Sequence, residues 1–339
     1  MAAVNAFRLF RLCTDAGACP QYIVIENVLS PEEVAVLNAK IDARPEMEGR
    51  GTNDWVGNAR FGENPGAYQD MIKVKDGDGT VFSPGFLDWG PEFIELLTRP
   101  QLLPYLAFTM DDGWDNAGEE PMTITSASNG IRLDRLYGIE QTVGTLRQGG
   151  FHQGERSTAV CRPLVVLLLC LTVAATDWEG SYSFQRGEMR NNLVVVAYNL
   201  TDSGGELGGF TILPGSHKAN IKMPRYFNDR LNGPENGTPM GAVCPVAPAG
   251  SVIMFSEASV HATHGFVKQG HKRRVLLYKY AQKHVAQGRD AVGPSSLPMT
   301  EEQAALFSSP QEGRAVTFRP KHDHSTYLRD VGRVWKKEE

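Results

Sequence analysis

The sequence predicts a mainly β protein, an antiparallel barrel or sandwich with flanking helices and an N-terminal helical layer. Two observations carry this. Between residues 123 and 283 the short apolar runs ITSA, IRLDRLYGI, LVVVAYNL, GGFTILPG, GSVIMFSEA and RRVLLYKYA are separated by Gly and Pro, the spacing expected of antiparallel strands. Ahead of them, around residues 31–42, apolar positions repeat at helical spacing instead. With 41% hydrophobic residues among 339, the chain has enough apolar surface to bury a sizeable core.

QYIVIENV, residues 21–28, is rich in β-branched residues and reads as a strand. The helix that follows has Ser30 as N-cap, Pro31 at its first position and Glu32 and Glu33 in its first turn. Val34, Leu37 and Ile41 mark its apolar face. Residues 44–85, rich in Gly, Asp and Asn, read as a covering loop, and residues 92–110 as helix broken by Pro100 and Pro104. The strand-rich core then runs over 123–283, and the polar tail after residue 284 has little to suggest a core of its own. The expected organisation is one unit, 1–339, divided into an N-terminal strand and helical or loop layer (20–122), the β core (123–283) and the tail (284–339). No internal repeat is present.

The run PLVVLLLCLTVAA, residues 163–175, is shorter than the roughly 18 residues a membrane span needs. It reads as a buried strand or core helix, and no membrane partner is expected. Net charge is -5, and no basic run is interleaved with aromatics, which argues against nucleic acid as a partner. The five cysteines form no CxxC pair, so neither a disulfide framework nor a thiolate zinc site is expected. The opening MAAVNAFRLFRLC has no signal-peptide core, and KKEE is no peroxisomal signal. Cytoplasm is the expected compartment. An organelle-targeting reading of the two early arginines stays open, and the oligomeric state is not legible.

Three pieces carry chemistry: GGFTILPGSHKAN (208–220), AGSVIMFSEASVHATHGF (249–266) and RRVLLYKYA (273–281). They read as strand, turn, strand, loop, strand. His261 falls at a strand end, with His264 as a rival three residues on, and Arg273 or Arg274 opens the next strand. An imidazole beside a guanidinium on the neighbouring strand suits a metal ion next to a dicarboxylate.

These segments resemble the phytanoyl-CoA dioxygenase family, whose members carry a similar GGF-x-x-x-PGSHK turn and F-x-EA-x-x-H strand ahead of RR-x-LLYKY. YIVIENVLSPEEVAVLNAKID (22–42) is similar to the same family's N-terminal strand and helix. The resemblance implies a double-stranded β-helix, a jelly-roll or cupin-like barrel, holding Fe(II) by two histidines and one carboxylate, with 2-oxoglutarate as cosubstrate and ascorbate as a further candidate. It implies His261 as the distal ligand, Arg273 as the 2-oxoglutarate anchor with Arg274 as alternative, and His217 as a structural turn residue.

The chain departs from the family pattern at two places. RLDR (132–135) and LRQGG (146–150) stand where relatives commonly read RLDH and LHGG. The remaining candidates are His152 and, three residues on, Glu155. That spacing points two strand residues to opposite faces unless a bulge intervenes, and His152 reads equally well as an ordinary loop histidine. Residues 160–178 interrupt the family pattern and are expected to be an insertion; residues 192–202 match it again.

Tyr198, Tyr278 and Tyr280 read as core more readily than as pocket, and Asp134 and Asp202 as turn residues more readily than as the missing carboxylate. Glu257 is a candidate orienting partner for His261. The expected activity is an Fe(II)- and 2-oxoglutarate-dependent hydroxylation of a small or lipid-like organic substrate. The alternatives are an inactive relative serving as a binding or scaffold module, and a metal-independent sugar-binding jelly roll. Loops 44–85 and 225–241 are candidate lids.

Overall fold

A computed structural model of the chain describes residues 22–47, 58–61, 75–76, 79–80, 85–110, 131–142, 148–152, 182–185, 188–218, 241–264, 270–282 and 294–307. In chain order these hold strand β1 (Tyr22–Ile25), helix α1 (Pro31–Asp42) and strands β2 (Asn58–Phe61), β3 (Lys75–Asp76) and β4 (Gly79–Thr80). Helices α2 (Pro91–Glu95) and α3 (Leu103–Met110) follow, then β5 (Ile131–Gln141), β6 (Gln148–His152), β7 (Tyr182–Gln185), β8 (Glu188–Asn191) and β9 (Leu193–Asn199). The last elements are β10 (Gly209–Ile212), β11 (Val252–Ser256), β12 (His261–His264), β13 (Arg273–Gln282) and α4 (Glu301–Ala305).

Helix α1 starts where the sequence predicts. Ser30 Oγ accepts from the Glu33 N–H at 3.2 Å while the Glu33 carboxylate accepts from the Ser30 N–H at 2.8 Å, a reciprocal box that satisfies donors the first turn would otherwise leave unpaired. The stretch expected as loop also carries strands: β2 pairs with β5, adding an edge to the main sheet. Pro104 does not break α3 but occupies its first turn, where a missing N–H costs nothing; the interruption falls around Pro100.

The main sheet has six strands in the order β1-β11-β9-β13-β5-β2, and a second has three, β10-β12-β6. β13 lies near the middle of the large sheet and shows why the layers form. Its Leu276, Tyr278 and Tyr280 pack into one apolar cluster with Leu37 and Ile41 of α1 and Phe86, Phe93 and Leu96 of the helical layer. Val275 and Leu277, pointing the other way by strand alternation, pack with Phe210 and Ile212 of β10 on the second sheet. The Phe210 and Phe255 rings lie 4.4 Å apart across that interface. The predicted barrel thus appears, among the described residues, as two facing antiparallel sheets without a traced closure.

Lys279 pairs with Arg135 and Tyr280 with Leu133, so Asp134 is the extra residue of a bulge in β5. Tyr198, Tyr278 and Tyr280 are core, as the sequence reading favours. Their hydroxyls donate to the backbone carbonyls of Leu96, Phe93 and Leu97 at 2.6, 2.7 and 2.8 Å.

The described part of the tail, residues 294–307, joins the helical-layer core. Leu306 is buried in the helical-layer cluster, its carbonyl accepts from the Leu133 N–H at 2.9 Å, and Gln303 Nε2 donates to the Ile94 carbonyl at 3.3 Å. The ITSA run, the apolar run 163–175, the expected insertion 160–178 and most of loop 225–241 lie outside the described residues. Among the described residues no helix is long and apolar enough to cross a membrane.

Candidate functional site

The site is built on the turn between β11 and β12. Ser256 closes β11; its hydroxyl donates to Asn191 Oδ1 at 2.8 Å and accepts from the Ala258 N–H at 3.2 Å. The Val260 N–H donates to Ser216 Oγ at 2.7 Å. A turn pinned from both sides brings Glu257 and His261, four positions apart, to the same place. His261 Nδ1 lies 2.8 Å from the Ser259 carbonyl. A carbonyl only accepts, so Nδ1 carries a proton. Phe255 and Phe210 flank the ring, at 4.8 and 5.9 Å between centroids.

His261 Nε2 is 3.8 Å from Glu257 Oε2. The other carboxylate oxygen, Oε1, takes the ammonium of Lys279. Lys279 is itself buried, 5.5 Å over the Tyr137 ring. Burial pushes its pKa down, but the Glu257 charge and Tyr137 outweigh burial and hold it above the usual lysine range.

The two arginines that open β13 part company. Arg274 faces the helical layer: Nε donates to Glu140 Oε2 at 2.9 Å, Nη1 to Asn38 Oδ1 at 2.8 Å and Nη2 to Asp42 Oδ1 at 2.6 Å. It clamps α1 to the sheet. Arg273, on the face shared with Val275 and Leu277, is only 4% exposed, yet its Nε and Nη1 have no hydrogen-bond partner among the described residues. Burial holds its pKa down to about 10, against a smaller opposing effect of Cys244. Gly209 makes room for it: at φ 113° and with a would-be Cβ 2.9 Å from Arg273 Nε, this position accepts no larger residue without a shift.

A buried guanidinium with nitrogens left unpaired among the described residues is costly unless an anion comes to it, and its planar fork matches a carboxylate bidentately. Arg273 therefore fits an anionic ligand, and Arg274 does not.

His152 closes β6 directly opposite His261 in the backbone register, beside an irregularity between His261 and Thr263. Glu155 lies outside the described residues. His264, the rival ligand, is paired with Gly209 at the far end of β12. His217 is buried, edge-on to Tyr182 at 4.8 Å; burial and then the neighbouring Lys218 hold its pKa down to about 3, so it is neutral. Asp134 is fixed between Arg132 at 3.0 Å and Arg135 at 2.7 Å, and Asp202 accepts from the Ala249 N–H at 2.9 Å in a turn. Among the described residues no three His, Cys, Asp or Glu side chains gather as a metal set. Lys279 escaped the sequence reading, although a lysine in phase with Val275 and Leu277 marks a charge on the inner face.

No family model matches the sequence, and no curated protein matches it. Solved structures do match the fold. HygX from Streptomyces hygroscopicus with nickel and 2-oxoglutarate bound superposes with a TM-score of 0.51 at 18% identity, covering 83% of this chain and 88% of HygX. The chain has the HygX fold. HygX with nickel, 2-oxoglutarate and hygromycin B bound gives the same TM-score and coverage at 17% identity. SnoN, a non-haem α-ketoglutarate-dependent epimerase of nogalamycin biosynthesis, gives 0.43 at 16% identity, covering 88% of this chain and 97% of its own. Folds host many functions, so the chemistry has to be read from this chain's own side chains.

Proposed function

We propose that the chain is an Fe(II)- and 2-oxoglutarate-dependent oxygenase of the phytanoyl-CoA dioxygenase type, acting on a small or lipid-like organic substrate. The observation that carries this reading is Arg273, a buried guanidinium with two nitrogens unpartnered among the described residues, on the sheet face shared with Val275 and Leu277, which pack against β10. It supplies the anchor for the distal carboxylate of 2-oxoglutarate. His261 Nε2 serves as one metal donor, its tautomer held by the Ser259 carbonyl. His152, its register partner, is the proposed second, and the sequence offers Glu155 as the carboxylate. Iron and 2-oxoglutarate, when bound, supply the oxidising power for C–H hydroxylation, with carbon dioxide and succinate as coproducts. Phe210 and Phe255 keep water from the imidazole, and Arg273 fixes the orientation of the cosubstrate. That HygX binds 2-oxoglutarate on the same fold supports the reading.

The test is succinate release by the purified chain with Fe(II), 2-oxoglutarate and air. Measurable release that His261→Ala abolishes is expected, and release unchanged in that variant overturns the ligand role. A second reading, an inactive relative that binds ligand without turnover, is favoured by one observation. Arg135 stands where the family resemblance expects a histidine, and its guanidinium is committed to Asp134. On that reading 2-oxoglutarate binds through Arg273 and no succinate forms.

A further inference from the structure

We propose that Cys244 is a modification site for carboxylate-bearing electrophiles, which the Arg273 guanidinium gathers beside its thiol, and that the alkylated product closes the anion site by pairing with Arg273. The proposal rests on the anion-anchoring role given to Arg273 above and not on iron.

Backbone pairing brings the two residues together. Ile212 and Val243 exchange both backbone hydrogen bonds, at 2.9 and 2.8 Å, in an isolated antiparallel bridge. In that register the next residues, Thr211 and Cys244, stand opposite each other, and opposed positions share a face. The Gly205 N–H donates to the Cys244 carbonyl at 2.9 Å and Ala247 bridges to Ser203, so the backbone that carries the thiol is held on two sides. Two residues back along β10 from Thr211 is Gly209, where the space of the missing Cβ is taken by Arg273 Nε. Thiol and guanidinium are thus neighbours along one short stretch of β10. Their charges act on each other: burial raises the Cys244 pKa and lowers that of Arg273, and each residue opposes the effect of burial on the other.

The two groups differ in access. Cys244 is a free, partly exposed thiol, whereas Arg273 is buried with Nε and Nη1 unpartnered among the described residues. A reagent can reach the sulfur from solvent, and the cation beside it selects reagents by charge. Burial disfavours the thiolate and slows attack on neutral reagents. An anionic reagent is held next to the sulfur by the guanidinium, and a cleft of one charge raises the local concentration of its counter-ion by about tenfold or more. In alkylation by a haloacetate the sulfur forms a bond to the methylene carbon, the halide leaves with the electron pair of the broken bond, and the thiol proton passes to solvent. The new carboxylate, tethered to Cys244, supplies the partner that Arg273 lacks.

Iodoacetate and iodoacetamide deliver the same carbon and differ in charge, so together they test the proposal. The full chain is treated with each, and alkylation of the Cys244 peptide is followed by mass spectrometry, with rates normalised to the same cysteine in the urea-unfolded chain. Normalised rates should favour iodoacetate by about tenfold or more, and Arg273→Met should bring them to equality. Carboxymethylated protein should no longer bind 2-oxoglutarate in calorimetry, a loss that should be absent from Cys244→Ser treated in the same way. Equal normalised rates in wild type, or a preference that survives Arg273→Met, overturn the proposal, and the wild-type ratio decides whatever Arg273→Met does to the fold. Binding of 2-oxoglutarate by untreated wild type then still supports the cosubstrate reading. A preference that Arg273→Met removes but saturating 2-oxoglutarate leaves intact supports the modification site and overturns Arg273 as the cosubstrate anchor.

Discussion

Neighbouring arginines on β13 should respond to the same substitution with opposite signs. Arg273 is buried with its pKa held at about 10 instead of the usual 12.5. At 1.36 kcal/mol per pKa unit, the charged side chain is about 3 kcal/mol worse off in the fold than in water. Arg273→Met removes that penalty and should stabilise the ligand-free protein by up to about 3 kcal/mol. Arg274→Met strands Glu140, which is fully buried. Breaking a buried pair costs about 3–5 kcal/mol, and the lower end applies because Lys272 Nζ stays 3.7 Å from Glu140. The assay is urea unfolding followed by tryptophan fluorescence, with and without 2-oxoglutarate. At a ligand concentration about 100 times its dissociation constant, wild type should gain about 2.7 kcal/mol; Arg273→Met should gain almost nothing, and Arg274→Met should keep the gain. Two results refute the reasoning: Arg273→Met destabilised as much as Arg274→Met, or Arg273→Met stabilised by 2-oxoglutarate as wild type is.

Other outcomes follow from the same geometry. Ser30→Ala removes one half of the α1 capping box and should cost about 1 kcal/mol in the same assay, with Ser30→Asn restoring most of it. Tyr278→Phe leaves the Phe93 carbonyl without its donor and should cost about 1–3 kcal/mol; a cost below about 0.3 kcal/mol would mean the hydroxyl is not engaged. His217 is held neutral to about pH 3 against 6.5 when unfolded. The unfolded chain therefore takes up a proton first as pH falls, so stability is lost from pH 6.5 down toward pH 3, at a slope of at most about 1.4 kcal/mol per pH unit. His217→Phe should flatten that part of the stability profile without altering it above pH 7.

What was legible in the sequence is local, and what was missed is mostly non-local. The α1 start was legible because Ser30, Pro31 and Glu33 act within one turn. The strands of β9, β11 and β13 were legible because their β-branched and aromatic runs are uninterrupted. β2 was not, since NARF has no alternation of its own and is a strand only because β5 offers it an edge. The docking of Leu306 was missed for the same reason: its partner, Leu133, is far away in the chain. At the site, His261 and the arginine pair were readable, but the choice between Arg273 and Arg274 was not. The fold tells the two apart by gathering Glu140, Asp42 and Asn38 around Arg274. Glu257 was readable beside His261, but its pairing with Lys279 was not, because nothing local in the sequence ties the two together.

The carbonyls at the ends of the short helices are held by side chains that belong elsewhere. Besides the three tyrosines, Asn191 Nδ2 donates to the Thr109 carbonyl at 3.0 Å and Gln282 Nε2 to the Met110 carbonyl at 2.8 Å. A helix as short as α2, only five residues, does not persist alone in water. The segment 85–110 therefore has no folded state of its own to return to when β9 and β13 separate. Its amide protons should exchange with solvent through the same opening that exposes the sheet, as one cooperative unit with the strands instead of as a layer that frays first.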